Sequence, residues 1–110
     1  MMDEGRYNQL VAGAFKRLLA EVDRIDPDVL EADSSGDMVT LTAPGSGQKC
    51  VVNTQRAVRQ IWVAGLSQGI HFGYDEGSGS WLDDKGKGLE LFSWVRQVAK
   101  EISGAELGLA

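Results

Sequence analysis

Two amphipathic helical patterns bracket a run of short alternating segments. From residue 6 to 25, Tyr7, Val11, Ala14, Leu18, Val22 and Ile25 recur at three- and four-residue steps, with Leu10 and Phe15 widening the stripe. That spacing predicts a helix. It ends before Pro27, because a residue preceding proline is pushed out of the helical region. From about 88 to 103, Leu91, Val95, Val98 and Ile102 mark a second buried stripe, flanked by Phe92 and Ala99. Gly104 is placed to cap it.

Between the helices the period falls to two. DVLEAD is read as a short first strand, followed by MVTLT, KCVVN with TQRA, VRQIWVA, GIHFGYD and SWLDD. SSGD, APGSGQ, GLSQ and EGSG supply the turns, as in an antiparallel meander. Helix, about six strands, helix describes an α+β fold. Because each helix carries one apolar stripe, both are expected on one face of the sheet, giving a two-layer α-β sandwich. Residues 1–110 are expected to form a single domain, with 1–5 and 104–110 frayed.

The alternation in VRQIWVA then poses a question. Arg59, Ile61 and Val63 fall on one side, Gln60, Trp62 and Ala64 on the other. Ile61 and Val63 suit the helices. Trp62 is left on a face that no predicted element covers. It is read either as an anchor shown to a partner or as a ring filling cross-strand space beside His71 and Phe72.

Composition narrows the chemistry. The formal charge of −5 speaks against nucleic acid and for cations or basic protein surfaces as partners. A single cysteine, Cys50, rules out an internal disulfide and a four-thiolate cluster, and reads as a small buried hydrophobe. A single histidine, His71, excludes HExxH and two-histidine iron triads, and is expected on the sheet surface. Trp81 reads as core support, and Trp94 as packing at the edge of the second stripe. No apolar run is long enough to span a membrane, and the acidic start MMDEGRYNQ is no targeting peptide, so a cytoplasmic protein is expected.

Acids crowd one stretch. Glu21, Asp23, Asp26, Asp28, Glu31, Asp33 and Asp37 are opposed only by Arg24. They are read either as a solvated helix end or as hard oxygen ligands for a cation. Nothing among them selects iron over calcium, magnesium or manganese.

Taken in order, these segments resemble the frataxin family, and more closely its bacterial, CyaY-like branch. Asn53-Thr54-Gln55 followed by Gln60-Ile61-Trp62 is similar to the family's N-x-Q…Q-[IV]-W signature. Gly69, His71 and Phe72 match a G-x-H-F run, and Trp81, Asp83 and Gly86 match the W-x-D…G before the last helix. Thr54 stands where a basic residue is usual, and Ala57 where proline is common. Leu19 and Ala20 replace frequent acids.

The resemblance implies an iron-binding accessory protein of iron–sulfur cluster assembly, acting as iron donor or as regulator of a cysteine desulfurase and its cluster scaffold. It assigns Glu21, Asp23, Asp26, Asp28, Glu31 and Asp33 to weak iron or desulfurase binding. It assigns Asn53, Gln55, Gln60 and Trp62 to the scaffold. A monomer without catalytic residues is the leading expectation. The alternatives are oxidation of ferrous iron at the acidic face, and a generic acidic binding module.

Overall fold

The computed structural model describes residues 2–109. Helix α1 runs Glu4–Val22, and Asp3 caps it by accepting the Arg6 N–H at 2.8 Å. Six strands follow: β1 Glu31–Ser35, β2 Met38–Ala43, β3 Gln48–Gln55, β4 Gln60–Gly65, β5 Gln68–Asp75 and β6 Ser80–Asp83. Helix α2, Leu91–Ser103, closes the order, and the Glu90 carboxylate accepts the N–H groups of Phe92 and Ser93 at its start. Gly104, at φ 79°, ends α2 in the left-handed conformation that glycine adopts without strain.

The strands form one open antiparallel sheet in chain order, β1 to β6. Register separates its faces. Val39, Val52, Val63 and Ile70 are partnered across four strands and are all buried. Ile61 pairs with Phe72, and Leu41 with Cys50, on the same side. Against them lie Tyr7, Val11, Ala14, Phe15, Leu18 and Val22 of α1, with the full apolar stripe of α2. Each fully buried aliphatic side chain contributes about 1.5–3 kcal/mol relative to exposure. Both helices therefore cover one face, as expected for a two-layer α+β sandwich.

Helix α1 begins at Glu4 where the pattern starts at residue 6, α2 begins at Leu91 where it starts at about 88, and four further boundaries differ from the sequence pattern. Helix α1 stops at Val22, and tight bonds from Arg24 N–H to the Glu21 carbonyl and Ile25 N–H to the Val22 carbonyl wind it down before Pro27. The first strand begins at Glu31 instead of Asp28, because the Asp26 carbonyl accepts the N–H groups of Val29 and Leu30 and holds them in a turn. Arg59 is not a strand residue. Residues 56–58 make a single 3₁₀ turn, and Arg59 follows at φ 55° in the left-handed region.

The tail is the fourth difference. Ala105, Leu107 and Leu109 are buried, and the Gly108 N–H donates to Glu21 Oε1 at 2.7 Å. A polar tail would fray. This one alternates apolar residues into the core and is pinned at its backbone. Trp94, expected at the edge of the stripe, is also buried.

Candidate functional site

The helix-free face of the sheet is built from the residues between the core positions. Asn53, Trp62 and His71 are register partners on β3, β4 and β5, and Met38 extends the row onto β2. The neighbouring row is Gln55, Gln60, Gly73 and Leu82. The structure thus brings Asn53, Gln55, Gln60 and Trp62 into two adjacent rows of one face, each half-buried. Met38 and Leu82 flank them with 38% exposure each, so the amides sit within an apolar surround.

Trp62 fills cross-strand space, as one reading of its pattern expects. Its ring centroid lies 6.3 Å from that of His71, tilted 36°. The indole also reaches diagonally along β5 to lie over Gly69. Its outer surface stays uncovered by any element of the fold.

The segment is fastened from the other side. The Tyr7 hydroxyl, inside the helix layer, donates to the Gln60 carbonyl at 2.6 Å. Burial pushes the Tyr7 hydroxyl pKa upward. Arg56 and Arg59 place their guanidinium carbons 5.9 and 5.8 Å from the Tyr7 ring centroid. Arg56 also pairs with Asp37 and donates to Asn8 Oδ1 at 2.6 Å, and its hydrogen bond holds the Asp37 carboxyl below the usual range. Thr54 is buried on the core side, paired with Ile61, so its departure from the family pattern bears on packing.

Beyond β6, Asp83 organises the loop to α2. Its carboxylate accepts the N–H of Lys87 at 2.8 Å and that of Leu89 at 3.0 Å. Those bonds, led by Lys87, hold its pKa low. The adjacent Asp84 takes a long 3.5 Å contact from the Gln60 amide, which joins this loop to the open face.

The acids divide by element. Glu21 and Asp23 end α1, Asp26 and Asp28 lie in the turn, and Glu31 and Asp33 lie on edge strand β1. Ala32 is partnered with core residue Leu41, so Glu31 and Asp33 take the open-face side of β1, beside Thr42 and Thr40. Two of the acids already have work. Glu21 holds the tail and sits 3.4 Å from Arg24 Nη1, and Asp26 Oδ1 accepts the Asp28 N–H at 2.9 Å. Among the described residues, no three His, Cys, Asp or Glu side chains converge to hold a metal ion.

Cys50 is fully buried, and burial pushes its thiol up to about 12. Sequence reasoning found the open-face residues but missed Tyr7, whose hydroxyl is invisible in an apolar stripe. It named Gly69 within the G-x-H-F run but not its proximity to Trp62, which follows only from register. No helix among the described residues is long and apolar enough to cross a membrane.

Comparison with known proteins agrees with this architecture. The family model described as a frataxin-like domain matches residues 1–105. The iron-sulfur cluster assembly protein CyaY of Pseudomonas fluorescens is 35% identical over 107 residues, covering 96% of this chain and 94% of the relative. CyaY of Delftia acidovorans is 41% identical over 85 residues, covering 77% and 73% respectively. A solved frataxin from Psychromonas ingrahamii superposes with a TM-score of 0.84 at 23% identity, covering 96% of each chain. At that identity the likeness speaks to the fold.

Proposed function

This chain belongs to the frataxin-like family, and from that premise we propose that it serves iron–sulfur cluster assembly as a cytoplasmic, monomeric accessory protein. Its open sheet face docks the cluster scaffold through Asn53, Gln55, Gln60 and Trp62. The acidic edge, Glu21 to Asp33, meets the basic surface of a cysteine desulfurase and carries iron as cargo. The names of the relatives, iron-sulfur cluster assembly proteins, support the general role.

One observation carries the docking reading. Trp62 stands half-exposed in a cross-strand row with Asn53 and His71, on a face that neither helix covers. A large rigid aromatic among amide groups has the composition of an interface hot spot. For iron, exposed carboxylates are suitable hard ligands, and their spread over α1, the turn and β1 favours a weak, partly hydrated guest. That spread gives oxidation of ferrous iron no built centre to favour it over carriage.

The test is a pull-down from the native host's extract with the wild-type chain and with Trp62→Arg. Recovery of desulfurase and scaffold by the wild type alone is expected. Equal recovery by both proteins, or by neither, overturns the docking face.

A further inference from the structure

Gly69 occupies the position on β5 over which the Trp62 indole lies. A Cβ built on Gly69 would stand 2.7 Å from Trp62 Nε1, 3.0 Å from Cζ2 and 3.1 Å from Cε2. Those are the three nearest atoms, and all belong to one ring. The backbone at Gly69 is not among those with positive φ, so no turn or left-handed conformation demands glycine there. In a strand interior glycine is also unfavourable, for it loses the most conformational freedom on folding. What the glycine supplies is clearance.

The clearance shapes a surface. Val51, Ala64 and Gly69 are register partners, and their side chains diminish in size from β3 to β5. Together with Trp62, Lys49, the β4–β5 turn and Ile102 they line a shallow recess of about 450 Å³. His71, the cross-strand partner of Trp62, lies beside the indole with ring centroids 6.3 Å apart. The ring is therefore laid along the sheet toward the recess, with its exposed part offered to a partner. Preorganisation of this kind lowers the ordering cost of binding, because the anchor does not search rotamers when the partner arrives.

We infer that Gly69 is a positioning residue for partner recognition: by leaving its site empty, it lays Trp62 across β5 and keeps the adjoining recess open. This inference rests on the docking role of the open face. A methyl group at residue 69 lifts the indole off the sheet and fills the floor of the recess. It touches no core residue, because residue 69 faces away from the helices.

The experiment pairs Gly69→Ala with Trp62→Ala and the double variant. The indole ¹H–¹⁵N resonances are followed, with Trp62 assigned by Trp62→Phe, and affinity is measured for the purified cysteine desulfurase–scaffold complex. Gly69→Ala is expected to move the Trp62 resonance while leaving those of Trp81 and Trp94 in place. The melting temperature should hold, and affinity should fall by about tenfold or more, as when a hot-spot aromatic is displaced. The double variant should bind no more weakly than Trp62→Ala alone. An unmoved Trp62 resonance overturns the inference. So does full binding by Gly69→Ala when Trp62→Ala has lost it, and that result leaves the docking face standing. Full binding by both single variants removes the docking face itself, and the positioning role with it.

Discussion

The Tyr7 hydroxyl of helix α1 donates a 2.6 Å hydrogen bond to the carbonyl of Gln60, the first residue of the strand that presents Trp62. One buried phenol thus ties the helix layer to the start of the exposed signature. Tyr7→Phe keeps the ring packing and deletes the donor. Leaving a buried acceptor without its partner costs about 1–3 kcal/mol. Urea denaturation should show a lower midpoint with an unchanged slope. An unaltered midpoint would mean that water replaces the hydroxyl at no cost.

Glu21 and Gly108 form a second tie, between the end of α1 and the tail. Glu21→Ala should release residues 105–109, and amide exchange at Gly108 should accelerate with little effect on the central strands. Glu21→Gln retains an acceptor oxygen and should retain most of the protection. If the tail exchanges equally in all three proteins, burial of Leu107 and Leu109 holds it without the carboxylate.

Asp83 gives a pH dependence with a definite sign. Its pKa is lowered in the folded protein, chiefly by the hydrogen bond from Lys87 N–H. Such a group stabilises the fold above its unfolded pKa, about 3.9, and the contribution is lost as pH falls through the depressed folded value. Asp83→Asn should therefore melt several degrees below wild type at neutral pH. The gap should narrow only below about pH 4, within the acid range where this linkage operates. Asp37, Asp75, Glu76 and Glu106 are lowered as well, so the difference between the two proteins is the informative quantity. A gap that stays constant down to acid unfolding contradicts the assignment.

Cys50 should be chemically silent in the native state. With its thiol pushed up to about 12, only about one molecule in ten thousand is thiolate at pH 8, and that thiolate is buried. Labelling by a disulfide reagent should wait on unfolding and rise with urea in step with loss of structure. Stoichiometric labelling within minutes in native buffer would show an opening of the β2–β3 region.

The parity of Gln60-Ile61-Trp62-Val63 was legible because strand alternation is local, and both core and open faces of β4 follow it. Arg59 broke the pattern for an equally local reason: its left-handed backbone ends a 3₁₀ turn that alternation alone does not reveal. The tail reads as frayed although Ala105, Leu107 and Leu109 alternate, because its packing depends on a carboxylate 87 positions away from Gly108. Gly69 beneath Trp62 and Tyr7 beneath Gln60 required strand register and helix placement, which single-residue patterns do not carry. The acidic residues were all visible, yet Glu31 and Asp33 part from Asp23 because edge-strand parity turns them to the open face.

The most direct measurement is the affinity of the purified cysteine desulfurase–scaffold complex for the wild-type chain and for Trp62→Arg, with melting temperatures recorded alongside. A docking face predicts matched melting curves and a loss of affinity of at least about two orders of magnitude, the scale of a central hot spot. Equal affinity, or a variant that no longer folds, would contradict it and return Trp62 to a structural role.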